Sequence, residues 1–179
     1  DLNHDGRPQP KEVTVAQDDG IQRANRKGVG GVYLGPDLSL TTAFGLHVRP
    51  SGFTPQGVPI YDAVGVQRLV SKMEFHWVPY DAVYSRDGWF IVKAEPMRGY
   101  RNGRLVWTYP NRWPELHATL NEPPPLPQAG QLIGSMRWLG HPVTPRDSDV
   151  GELWAIGGYY GRVHLITSDG LFVASLFQD

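Results

Sequence analysis

Hydrophobic and polar positions alternate along this chain in short runs, and turn residues close each run. Val83-Tyr84-Ser85-Arg86 and Trp89-Phe90-Ile91-Val92-Lys93 flank Asp87-Gly88, a pair that supplies the positive φ angles of a tight hairpin. Asn102-Gly103 leads in the same way into Arg104-Leu105-Val106-Trp107-Thr108-Tyr109. Asp169-Gly170 separates Val163-His164-Leu165-Ile166-Thr167 from the apolar run that starts at Leu171. Glu152-Leu153-Trp154-Ala155-Ile156, closed by Gly157-Gly158, adds another strand, so residues 152–179 predict a three-stranded meander. The run Val32-Tyr33-Leu34-Gly35-Pro36-Asp37-Leu38-Ser39-Leu40 has the same grammar with the turn glycine missing, and Asp37, Asp87 and Asp169 hold the turn in the three copies. Short strands recurring at such spacing are the signature of propeller blades. Asp-Gly turns between aromatic strands also suit a sandwich or an open barrel.

Helix is scarce. Residues 62–73 predict one short helix, with Val64, Leu69 and Met73 on one side and Gly65 weakening it. Residues 12–27 are a poorer candidate, because Gly20 and consecutive β-branched positions intrude. Glu122-Pro123-Pro124-Pro125-Leu126-Pro127 is extended, since proline fixes φ and has no amide hydrogen. It reads as a stiff connection between sheets or as a ligand for a proline-binding domain.

Composition supports the all-β reading. Glycine (21) and proline (16) make up about one residue in five of the 179, against a background of roughly 12 %. An apolar fraction of 40 % leaves material for a core. Seventeen basic and eighteen acidic side chains nearly cancel, which removes the electrostatic argument for nucleic acid or an anionic membrane. No apolar run reaches the length of a spanning helix. Without cysteine there is no disulfide frame, thiolate metal site or cysteine nucleophile.

The richest chemistry lies at the start. Asp1-Leu2-Asn3-His4-Asp5-Gly6-Arg7-Pro8-Gln9-Pro10-Lys11-Glu12 fits a twelve-residue, EF-hand-like calcium loop. Asp1, Asn3 and Asp5 offer side-chain oxygens at positions 1, 3 and 5, and Gly6 permits the sharp turn. Arg7 offers its backbone carbonyl, Gln9 ligates directly or through water, and Glu12 closes the sphere with both carboxylate oxygens. A hard cation wants six to eight oxygens, and a wrapping chain supplies them from one short segment. Pro8 has no amide to pair with a partner loop, so a solitary loop of structural rather than catalytic role is expected.

Elsewhere the sequence offers weaker candidates. His4, His47, His76, His117, His141 and His164 are scattered, with no pair at ligand spacing on a common helix. Asp37 and Asp87 fall in turns, where aspartate is favoured for local hydrogen bonding. No nucleophile elbow, phosphate loop or dinucleotide fingerprint is present, and Gly28-Val29-Gly30-Gly31 lacks the strand and helix that a phosphate loop needs. Tyr100, Trp107, Tyr109, Trp113 and Trp138, with Arg101, Arg104 and Arg112 interleaved, suit a stacking platform for sugars or bases, or core packing. Trp107 alternates as a core residue should. Trp113 sits in Pro110-Asn111-Arg112-Trp113-Pro114, where an exposed ring can touch a ligand.

A family resemblance spans most of the chain. Gly103-Arg104-Leu105-Val106-Trp107-Thr108-Tyr109-Pro110-Asn111, Leu116-His117, Gly130-Gln131-Leu132-Ile133-Gly134 and the closing stretch from Gly161 to Asp179 resemble large secreted β-propeller proteins common in planctomycetes and related bacteria. Their NHL- or YVTN-like blades end in a similar T-x-D-G-L-x-V-x-x-L-F-Q-D run. Gln56-Gly57-Val58-Pro59-Ile60-Tyr61-Asp62 and the calcium loop are similar to stretches of that group too. The group often carries a serine and a second histidine after the position of His117, where this chain has Ala118, Thr119 and Leu120. Gly103 to Tyr109 also resembles quinoprotein propellers, without the alanine-leucine-aspartate core of their blades.

The expected fold is therefore all-β: a calcium-loop segment over residues 1–20, then a β-propeller-like segment of about three to four antiparallel meander blades over residues 21–179. The chain opens at Asp1 and stops at Asp179 after a strand-like run, and it reads as a piece of a larger protein. The resemblance implies a secreted, extracellular or periplasmic bacterial protein. The function expected is a non-catalytic binding or scaffold module with structural calcium. Its partners would be the rest of a parent chain or another subunit, or a glycan touching Trp113 and His117. The alternative is a fragment of a propeller enzyme, quinoprotein-like or polysaccharide-active, completed by further segments.

Overall fold

The computed structural model describes residues 7, 9–12, 32–71, 73, 81–94, 96–112, 132–133, 137–158 and 161–177. They build an all-β structure dominated by three four-stranded antiparallel sheets. The first runs β1 (Val32–Leu34), β2 (Leu40–Thr42), β3 (Leu46–Val48), β6 (Val66–Arg68), with a hairpin of β4 (Gly52–Phe53) and β5 (Pro59–Ile60) inserted before its last strand. The second is the meander β7 (Asp81–Tyr84), β8 (Trp89–Lys93), β9 (Met97–Arg101), β10 (Arg104–Tyr109). A short parallel pair, β11 (Asn111–Arg112) and β12 (Leu132–Ile133), leads to the third. That sheet is β13 (Arg137–Trp138), β14 (Leu153–Gly157), β15 (Val163–Thr167), β16 (Phe172–Leu176). The three expected strands of the C-terminal meander are β14 to β16, and β13 adds a fourth.

The aspartate turns share one geometry. In each, a three-residue loop is closed by two backbone hydrogen bonds. Gly35 N–H donates to Ser39 O (2.7 Å) and Leu38 N–H to Gly35 O (2.9 Å). Ser85 to Trp89 and Thr167 to Leu171 repeat the pattern. The last loop residue must be left-handed, and it is Leu38 (φ 62), Gly88 (φ 79) and Gly170 (φ 94) respectively. Leu38 thus fills the place of the missing glycine. The first two loops join the first and second strands of their sheets, whereas the Asp169 loop joins the third and fourth. The shared turn chemistry therefore does not mark the same place in every sheet.

The sheets stack face to face. Ala82, Phe90, Val92 and Tyr100 on one face of the second sheet pack with Ala43 of the β2–β3 turn and with Leu69 and Val70, which follow β6. Val83, Trp89, Ile91 and Met97 on its other face pack with Leu132 and with Trp154, Ile156 and Ile166 of the third. Strand β8 is accordingly buried at all five positions. A half-buried strand alternates apolar and polar residues, but one covered on both faces reads as a continuous apolar run, as Trp89-Phe90-Ile91-Val92 does. Tyr33 of β1 meets Trp154 of the third sheet edge-on, with ring centroids 6.0 Å apart.

The expected helix at 62–73 is replaced by one 3-10 turn, Ala63–Gly65, and by β6. The Asp62 carboxylate caps the turn, accepting from Val64 N–H (3.0 Å) and Gly65 N–H (3.2 Å). Pairing then takes over: Val66 to Arg68 lie opposite Val48 to Leu46 on the open edge of β3. A ladder in which backbone groups are satisfied across strands outweighs the weak propensity of a glycine-containing helix. The turn itself demands glycine at position 65, because a Cβ there would run into the Arg49 carbonyl.

Candidate functional site

A cleft of about 460 Å³ opens between the first two sheets. The β1–β2 loop supplies Asp37 and Ser39, β3 and its exit supply His47 and Arg49, and β7 and the loop after it supply Tyr84 and Arg86. Tyr84 is also the wall of a second cleft of about 440 Å³, lined by Arg68, Phe90, Tyr100 and Asn102.

Asp37, Ser39 and His47 in the first cleft each have fixed partners. The Asp37 carboxylate accepts from Ser39 Oγ (2.6 Å) and Ser39 N–H (3.1 Å). Partial burial works against its charge, but the Ser39 hydrogen bonds prevail and hold the carboxyl below its ordinary pKa. His47 is buried, its ring packed on Tyr84 with centroids 4.4 Å apart. Burial, and then the neighbouring Arg49 guanidinium, push the His47 pKa down against the opposing pull of Asp37. The ring is therefore neutral near pH 7. Its Nε2 accepts from Arg49 Nε (3.2 Å), so the proton resides on Nδ1 and is donated to Thr41 Oγ1 (2.9 Å). Both ring nitrogens are engaged. His47 cannot take a proton from Ser39, whose hydroxyl already donates to Asp37.

Behind the cleft lies a buried carboxylate. Glu152 accepts from Arg86 N–H (3.3 Å) and from Ser168 Oγ (3.0 Å), and Ser168 Oγ accepts in turn from Trp154 Nε1 (2.7 Å). This chain of hydrogen bonds ties the β7–β8 loop to the third sheet. Tyr33 hydrogen-bonds His141 Nδ1 (2.8 Å). Its own burial, followed by the Glu152 and Asp37 carboxylates, pushes the phenol up to about 12, with Arg86 opposing.

Of the expected calcium ligands, Asp1, Asn3 and Asp5 lie outside the described residues. Arg7 is exposed, Gln9 is half-buried, and Pro10–Glu12 form a single 3-10 turn. Among the described residues no cluster of three or more histidine, aspartate or glutamate side chains could hold a metal ion. Trp113 and His117 also lie outside the described residues. Trp107, expected in the core, packs half-buried between the second and third sheets.

In the sequence Arg49 and Arg86 carry no mark of a site, and Asp37 reads as a turn former. A faint signal was available in His47-x-Arg49, since residues two apart on a strand point the same way. Neither a protein-family model nor a curated protein sequence matches the chain.

Proposed function

We propose that the chain is a non-catalytic binding and scaffold module of a secreted multidomain protein, and that its three sheets are consecutive blades of a β-propeller. The observation that carries this reading is the layering. The second sheet is covered on both faces, while the flanking sheets keep apolar residues on their outer faces. In the first sheet Leu34, Leu40, Val48 and Val66 stand side by side across all four strands, and Leu34 and Val66 are 50 % and 43 % exposed. In the third, Val163, Leu165 and Leu176 lie on the face opposite the buried Trp154, Ile156 and Ile166. Apolar sheet faces call for a partner layer, and further blades of the same architecture supply one. The engaged ring nitrogens of His47 favour binding over acid–base chemistry in the cleft.

Light scattering over a hundredfold range of concentration tests the reading. The open faces are expected to associate, so apparent mass rises with concentration. Leu34→Glu with Val66→Lys is expected to return the protein to a monomer. A wild-type monomer throughout would overturn the propeller-segment reading.

The calcium loop belongs to the same proposal as a structural joint. A ligand held only by the folded form raises stability by about 2.7 kcal/mol at a hundred times its Kd. Calcium at millimolar concentration is therefore expected to raise the melting temperature. Asp5→Ala or Glu12→Gln should abolish that rise. An unchanged melt would mean that the loop holds no metal.

A further inference from the structure

The cleft between the first two sheets has a composition more selective than a generic polar groove. Two guanidiniums, from Arg49 and Arg86, line it on opposite sheets. The Arg49 Nε is spent on His47, which anchors that side chain and leaves its terminal nitrogens as donors. The Arg86 guanidinium is not used by Glu152, which takes the backbone N–H of that residue instead. Among the described residues no carboxylate forms an ion pair with either guanidinium. The lining also includes the Asp37 carboxylate, an acceptor for hydroxyl groups, from the first sheet and Tyr84, packed on His47, from the second. The floor holds buried Ser39 and Ser85.

We propose that this cleft binds a uronic acid residue of an acidic polysaccharide, with the sugar carboxylate between Arg49 and Arg86 and ring hydroxyls on Asp37. Guanidiniums form charge-assisted, paired hydrogen bonds with a carboxylate. Asp37 and the nearby Glu152 repel a dianion, so one carboxylate on a hydroxylated ring suits the site better than a phosphate. The volume, about 460 Å³, lies within the range that holds small ligands. The inference rests on the binding-module reading and names its ligand class.

Isothermal titration of the full chain with an oligogalacturonate tests it. Three controls go with it: the same oligosaccharide with its carboxylates reduced to alcohols, inorganic phosphate, and Arg86→Gln. The variant preserves every hydrogen bond described above, and an unchanged melting temperature establishes that it is folded. Binding of the oligogalacturonate is expected, weakened at least tenfold by reduction of the carboxylates and by Arg86→Gln. Equal binding of the reduced sugar, equal binding of phosphate, indifference to Arg86→Gln, or no binding of the oligogalacturonate would each overturn the proposal. Light scattering on the same samples reads the blade stacking separately, so loss of one conclusion is distinguishable from loss of the other.

Discussion

Gly99→Ala is expected to loosen the second sheet from the third at a cost of about 3 kcal/mol, at the upper end of what overpacking does. Trp107 of β10 lies directly opposite Gly99 of β9, and its indole lies across the glycine. A Cβ at position 99 would fall inside the Trp107 Cε2 and Nε1 atoms. The other side of the ring rests on Gly170 in the β15–β16 loop, where a Cβ would come within 2.6 Å of Trp107 Cγ. Trp107 Nε1–H donates to Ser168 O (3.2 Å), and Tyr109, on the same strand, accepts from Phe172 N–H (3.0 Å). The indole is thus a staple held between two glycines of different sheets. Urea denaturation of a double-mutant cycle checks this. Trp107→Ala alone should cost about 3–5 kcal/mol. In that background Gly99→Ala should be nearly neutral, because the atoms it collides with are gone. An equal cost in both backgrounds would defeat the staple.

Stability is also expected to rise with pH between about 8 and 9.5, the reverse of ordinary alkaline loss. Lys93 sits opposite Asp81 across β7 and β8 and is 1 % exposed. Burial pushes its pKa down from 10.5 to about 8; Asp81 opposes that shift and Arg137 reinforces it. Below about pH 8 the folded and unfolded states both carry the proton, and the folded state bears the full cost of the buried charge. Above it the folded state has released a proton that the unfolded state keeps until about pH 10.5. The unfolded state then binds more protons, so stability increases with pH. One and a half pH units correspond to about 2 kcal/mol. The Tyr33 phenol, pushed up to about 12, gives an opposite slope only above pH 10, so the measurement stays below that. Burial raises the Asp81 pKa against the pull of Lys93. Denaturant unfolding at pH 8, 8.75 and 9.5 should therefore show the rise in the wild type and none in Lys93→Met. A wild-type curve as flat as the variant's would mean that Lys93 is solvated.

Much of the sheet structure was legible residue by residue. Asp87-Gly88, Asn102-Gly103 and Asp169-Gly170 stand where β7–β8, β9–β10 and β15–β16 turn. Such pairs adopt positive φ at little cost, and the apolar runs beside them are long enough to declare a strand. The stretch around β6 was misread, because three residues carry too little pattern to distinguish strand from helix, and the open edge of β3 decided the matter. Strand β13, two residues long, left no trace for the same reason.

The candidate cleft was hardly legible, beyond the shared strand face of His47 and Arg49. Asp37, Arg49 and Arg86 are far apart along the chain, each in or beside a turn, where polar residues are ordinary. Nothing local distinguishes them from solvated surface until the first sheet lies on the second. Gly99 likewise reads as a weakness in a strand, and only the indole of Trp107 explains it.

By itself, then, the sequence determined the longer strands, the Asp-Gly and Asn-Gly turns between them and the all-β class, since those depend on neighbours within a few residues. Tertiary structure alone decided which faces are buried, why Lys93 is stripped of water, and which charges share a cleft. Those properties belong to pairs of sheets, and burial or charge proximity between distant segments has no period along the chain.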